Sequence, residues 1–236
     1  MRLERMGESA VLGNVPLDRR KVLAGGVAGL ASLALPTPLL AAAMPRDRTF
    51  AILRDGDEIG RHVVRFTPTE RGFRARTAIE IEVKVAFFTA FRFEQTADDL
   101  WIEGQLHESS ASTDDNGDVS RTLIRATTHG LEVEGGEDDR DIRVPLGTMT
   151  DLAFWNVAIL RQNALVDTQK VALTDVAARR NGTEPVETPQ GRVMAEHFTV
   201  AAETGRSGEI WFDAAGNWVK GVMSVRGETL AYRLIA

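Results

Sequence analysis

Apolar and polar positions alternate along most of the chain beyond residue 48, and the alternation is longest over residues 73–85. Phe73, Ala75, Thr77, Ile79, Ile81, Val83 and Val85 fall on one side, and Arg74, Arg76, Ala78, Glu80, Glu82 and Lys84 on the other. A period of two held over this length is the pattern of a strand with one buried face, not of a helix. Strands usually run about 5 to 6 residues. One this long in a small domain must twist and coil, which points to a barrel or a strongly curved half-barrel.

The same reading extends along the chain. Residues 49–54 and 59–67 form a hairpin across Asp55-Gly56, since Asp and Gly tolerate the positive φ of a tight turn. After a turn or bulge at 86–90, Phe91, Phe93 and Gln95 continue the inward face on the returning strand. Residues 100–112 read as the next strand with a bulge at Gly104, and 113–117 as a turn rich in Asp and Asn. Strands at 119–127, 131–134 and 142–144 follow. Residues 150–160 break the alternation: Leu152, Trp155, Val157, Ile159 and Leu160 suit a short helix with Thr150 or Asp151 as N-cap. Strands at 169–177, 184–188, 193–202, 209–212, 218–225 and 229–235 complete the chain, with turns that include Asn181-Gly182, Gln190-Gly191, residues 214–217 and Arg226-Gly227. The expected fold is all-β: an antiparallel, strongly curved β-barrel or half-barrel built of sequential hairpins, with one short covering helix.

The first 43 residues have a different character. Arg19 and Arg20 precede Lys21 and a mild apolar run over 22–35, which Pro36 and Pro38 then interrupt. Ala41, Ala42 and Ala43 supply the small side chains a signal peptidase needs. Residues 1–43 are therefore expected to be a cleaved export signal of twin-arginine type, with the export machinery as its partner. An ordinary secretory leader or an uncleaved anchor is the alternative. The run is shorter than the roughly 20 apolar residues that cross a bilayer, and two prolines break any longer stretch, so no stable membrane span is expected. Residues 44–236 form one domain, expected in the periplasm.

Charge narrows the partners. The 236 residues carry 28 Lys and Arg against 34 Asp and Glu, a net charge of −6, and the segment after residue 43 is the more acidic part. Without a segregated basic patch, an anion of this kind is repelled by a phosphate backbone, so no nucleic-acid partner is expected. The chain has no cysteine, which removes disulfides, thiolate metal sites and a cysteine nucleophile. No cofactor signature is present.

Candidate chemistry is sparse. His62, His107, His129 and His197 stand at no metal-ligand spacing, so each reads as a strand or turn residue. Glu80 and Glu82 share a strand face at a separation that would suit an acid–base pair, but Arg74, Arg76 and Lys84 share it too, and such a face is ordinarily solvated. Trp155 and Asn156 sit on the expected covering helix, where Trp155 reads as core or as a ligand-lining residue. Asp167 could hydrogen-bond a turn or a ligand. Phe87, Phe88, Phe91 and Phe93 form the densest aromatic cluster, and an open barrel could present Phe91 and Phe93 to an acyl chain.

Several short runs carry a resemblance: residues 101–106 (Trp-Ile-Glu-Gly-Gln-Leu), residues 113–117, Phe154-Trp155-Asn156, residues 166–169 (Val-Asp-Thr-Gln), and Trp211-Phe212-Asp213 with Gly216-Asn217-Trp218-Val219. Together they resemble a family of exported bacterial proteins known only as a domain of unknown function, over about residues 50–235. The resemblance implies a single β-rich, barrel-like domain and brings no activity or catalytic residue. The chain departs from the pattern after Gln169, where Lys170 and Val171 replace a turn glycine.

The expected function is non-enzymatic binding of a hydrophobic or amphiphilic ligand, such as a lipid or envelope component, with Phe91, Phe93, Trp155, Asn156 and Asp167 as candidate ligand-binding residues. An enzyme with its site in the barrel mouth near Trp155 and Asp167, or an envelope scaffold, is the alternative. The binding reading requires an apolar cavity reached from outside, not an interior filled solid by Ile79, Ile81, Val83, Phe91 and Phe93.

Overall fold

A computed structural model describes residues 44–236 apart from 86 and 87; the export-signal residues Arg19, Arg20, Ala41 and Ala43 lie outside the described residues. The described chain is almost entirely strand. β1 (Arg48–Arg54), β2 (Asp57–Pro68), β3 (Gly72–Val85), β4 (Phe88–Ile102), β5 (Gln105–Asp115), β6 (Asp118–Thr127), β7 (Gly130–Gly135) and β8 (Arg140–Val144) follow one another as antiparallel neighbours. The chain then passes to the far edge of the sheet. There β9 (Met149–Thr150) and β10 (Ala164–Asp167) run parallel to each other. β11 (Ala172–Thr188), β12 (Gly191–Ala202), β13 (Ser207–Asp213), β14 (Trp218–Val225) and β15 (Glu228–Leu234) return to pair with β1. The result is a single 15-stranded sheet, curled on itself and not closed, with β8 and β9 as its edges.

The long alternating segment is β3, and its two faces separate as the period of two requires. Ala75, Thr77, Ile79 and Ile81 are buried, whereas Arg76, Glu80, Glu82 and Lys84 are exposed. On the outer face Arg74 and Arg76 both bind Asp98 at 2.9 Å, and Lys84 pairs with Glu82 at 2.9 Å. Glu80 and Glu82 thus belong to a solvated charged ladder.

Four two-residue hairpins, Asp55-Gly56, Glu103-Gly104, Asn116-Gly117 and Arg226-Gly227, have both central residues at positive φ. That is the turn whose twist matches the strands it joins. Three expectations are corrected. Gly104 is not a bulge but half of one of these turns, so β4 ends and β5 begins within the expected strand 100–112. Conversely Asn181-Gly182 is not a turn: β11 continues through it, with a register shift between Arg180 and Gly182. There Asn181 Nδ2 donates across to Thr199 Oγ1 at 2.8 Å, holding the strands together at the bulge. Finally, residues 150–160 do not form one helix. Asp151, an expected N-cap, uses its Oδ1 to accept from the backbone N and Oγ1 of Thr168, at 3.2 and 2.9 Å. The helical piece is a single 3₁₀ segment, Val157–Arg161, capped by Asn156, whose Oδ1 accepts from Ala158 N at 3.0 Å.

The open seam is bridged by turns. Glu137 N donates to Gln169 O at 2.9 Å, Gln169 Nε2 donates to Glu137 Oε1 at 2.6 Å, and Thr122 Oγ1 donates to Thr168 O at 2.5 Å. Val171 occupies the position where a turn glycine is expected, and it adopts φ +48. This region is strained for a β-branched residue, but the Val171 side chain is 1% exposed and lies against Gly136. Burial of that side chain in the clasp offsets the strain.

Candidate functional site

The two ends of the barrel differ. At one end the chain between β9 and β10 folds inward beneath the turns that join β2 to β3 and β4 to β5. Trp155 is 5% exposed and meets Phe66, Phe73 and Trp101 edge-on, with ring centroids 4.9, 5.8 and 5.2 Å away. Edge-to-face packing of this kind contributes beyond the area it buries. Asn156 bridges to Asn217, and Asp213 Oδ1 accepts from the backbone N of Ala215 and Asn217, each at 2.9 Å. Gly216 lies below Val157, where a Cβ would stand 3.2 Å from Val157 Cγ1. The Phe-Trp-Asn and Trp-Phe-Asp…Gly-Asn-Trp runs of the sequence therefore meet in space and hold the plug in place.

The other end is open. Beneath it lies a cavity of about 460 Å³, within the range of small-molecule sites. Its apolar wall includes Ile79, Ile81, Phe91, Phe93, Val200 and Met223, and Phe154 contributes from the plug. Alternation explains this wall: β3, β4, β12 and β14 each send every second side chain inward, and the inward set includes Ile81, Phe93, Val200 and Met223. Gly208 in β13 helps to keep the space, since a Cβ there would meet Met223 Sδ at 2.5 Å. A larger groove of about 880 Å³ on the outer surface is lined by Glu80, Glu82, Arg61, Lys84 and other charged groups and offers no comparable apolar wall.

Polar groups ring the mouth. Arg226 makes a two-pronged ion pair with Asp115, including Nη1 to Oδ1 at 3.1 Å. Arg206 Nη1 donates to Asp167 Oδ2 at 3.2 Å. Asp167 Oδ1 accepts from the backbone N of Gln169 and Lys170 at 3.0 and 2.9 Å, fixing the turn into β11. Asp151 also faces the cavity; burial, with the Asp167 carboxylate nearby, pushes its carboxyl up to about 6 against the hydrogen bonds from Thr168. Tyr232 lies deeper, and burial pushes its phenol up to about 12.

Of the residues singled out in the sequence, the structure brings Phe91, Phe93 and Asp167 together on the cavity. Trp155 and Asn156 stand at the opposite end, in the plug, so the mouth is not formed near Trp155. The reason is topological: the covering segment crosses the end where β8 finishes, and β10 then climbs the barrel wall to deliver Asp167 to the mouth. Arg206, Arg226 and Asp115 were not legible as site residues. Each lies in or beside a hairpin turn, and only the assembled barrel gathers those turns around one opening. None of the four histidines lines the cavity. Among the described residues no group of three or more His, Asp or Glu side chains is placed to hold a metal ion, and no helix is long and apolar enough to cross a membrane.

Comparison with known proteins bears on the fold and the family. A crystal structure of a beta-barrel-like protein of the domain of unknown function DUF1849 from Brucella abortus aligns with a TM-score of 0.58 at 10% identity, covering 81% of this chain and 96% of that one. At that identity the likeness is one of fold. No curated protein matches the chain. The model of the domain of unknown function DUF6134 matches residues 50–235, which is the curled sheet from β1 to the end of β15, and the chain belongs to that family.

Proposed function

We propose that this protein is an exported, non-enzymatic binding protein that holds a hydrophobic or amphiphilic molecule, of the kind found in a bacterial envelope, inside the curled sheet. The observation that carries the reading is the apolar cavity of about 460 Å³, plugged at one end and open at the other. An apolar cavity of this size is rare in packed interiors, and its lining gains dispersion contacts with an apolar occupant. The titratable groups at the mouth support binding over catalysis. Asp151 and Asp167 both direct oxygens to the turn around Thr168, where they serve structure. The leader-like sequence of residues 1–43 supports a periplasmic site for this work, after removal of the signal.

Native mass spectrometry of the protein recovered from the periplasm of its host, with solvent extraction of anything bound, tests the reading. A one-to-one apolar adduct is expected. A clean ligand-free mass that stays unchanged after exposure to envelope lipids would count against it.

A further inference from the structure

Resting on the cavity-binding reading, we infer that the ligand is a single-chain or chain-inserting amphiphile with an acceptor-rich anionic head, a carboxylate or phosphate, held by Arg206 and Arg226 at the mouth. Asp115 has both oxygens engaged: Arg226 takes each of them, and Gln169 Nε2 adds a bond to Oδ2 at 3.4 Å. Asp167 accepts two backbone N–H groups on Oδ1 and Arg206 on Oδ2. These two carboxylates are nearly buried, at 9% and 5% side-chain exposure, whereas the guanidinium side chains they hold are 61% and 46% exposed.

A guanidinium carries five N–H donors. Arg226 spends two of them on Asp115 and Arg206 spends one on Asp167. Each arginine is thus fixed by an acid that is itself nearly buried, and lines the cavity with donors to spare. Thr204, Ser207 and Ser224 add hydroxyls along the same rim. A planar guanidinium with spare N–H groups is suited to a carboxylate or phosphate. The Arg226 guanidinium also lies 5.8 Å from the Phe91 ring centroid, at the boundary between rim and apolar wall. A chain lying along Phe91 and Phe93 would bring its head to this place.

The test compares heads on one chain. Palmitate, hexadecanol and methyl palmitate are titrated into the intact protein by competition with a bound fluorescent probe. Palmitate is expected to bind about 10- to 100-fold more tightly than either neutral analogue, the range of one charge-assisted hydrogen bond. Arg206→Gln is expected to narrow that gap by weakening palmitate several-fold more than hexadecanol, and Asp167 keeps its two backbone donors in the variant. Equal affinity for all three ligands in the wild-type protein would overturn the head-group assignment and leave the apolar cavity standing. Binding of none of them would overturn both. In a parallel arm the protein is mixed with vesicles of phosphatidylglycerol and phosphatidylethanolamine. Extraction of one phosphatidylglycerol per protein assigns the head to a phospholipid, and palmitate binding with vesicles left intact assigns it to a free fatty acid.

Discussion

His62 sits inside the barrel with both ring nitrogens unpartnered, surrounded by Phe50, Trp218 and Tyr232 at centroid distances of 6.3, 5.1 and 5.9 Å. Burial pushes its pKa down to about 3 from 6.5. The neutral ring is the form that packs, so its contribution is complete above pH 6.5 and is lost as pH falls from there toward 3. His62→Phe keeps an aromatic ring and removes the titration. Urea midpoints measured from pH 7 to pH 4 should fall less steeply for this variant than for wild type; parallel slopes would show that His62 is not the acid-sensitive group.

Asp99 has the opposite sign. It is fully buried, its carboxylate oxygens make no hydrogen bond, and Ser109 and Trp101 lie near it without meeting hydrogen-bond geometry. Burial pushes its carboxyl up to about 7 from 3.8. The folded chain thus holds this proton more tightly than the unfolded chain. That contribution is present below pH 3.8 and is lost as pH rises through 7. Asp99→Asn should therefore raise the melting temperature at pH 8 and lose this advantage near pH 4.

At the scale of elements, the seam and the plug replace what a closed barrel would supply by strand pairing. Gly136 adopts φ +78, and a Cβ there would meet Val171 Cγ2 at 2.7 Å and Gln169 O at 3.0 Å. Gly136→Ala should destabilise the fold by about 1–3 kcal/mol through strain at a left-handed position, with more from the clash, measured by chemical denaturation. Trp155→Ala empties the centre of the aromatic plug and should cost about 3–5 kcal/mol. These elements also mark how far the sequence was legible. β3 could be read almost to the residue because, apart from Thr77 inside and Ala78 outside, its inner face is apolar and its outer face charged. The turns at Asp55-Gly56 and Arg226-Gly227 could be read because each contains a Gly, which accepts positive φ, and Asp55 tolerates it as well. Glu103-Gly104 and Asn181-Gly182 were read the wrong way round. Both pairs permit either a turn or a bulge, and only the pairing of β4 with β5 and of β11 with β12 decides between them. The plug was legible as a break in alternation but not as a 3₁₀ segment, because Asp151 is drawn away from capping by Thr168, a residue 17 positions along the chain.

At the scale of the whole molecule, strand length and alternation foretold a curved sheet, and Phe91, Phe93 and Asp167 were within reach because inward parity or a turn position identifies them. The arginine rim was not, since Arg206 and Arg226 approach the mouth from separate hairpins and nothing local distinguishes them from other surface arginines. Strand pairing is likewise a global property: β1 and β15 pair although the whole length of the domain separates them in sequence, while β8 and β9, near neighbours in sequence, end on opposite edges. On the proposed function, the space enclosed by this sheet takes up an apolar molecule. Titration with the apolar fluorophore N-phenyl-1-naphthylamine, for wild type and for Val200→Trp on the cavity wall, tests it most directly. One saturable site in the wild type that disappears in a Val200→Trp protein of unchanged circular dichroism is the predicted result; equal binding by the two, or no saturable site in the wild type, would contradict it.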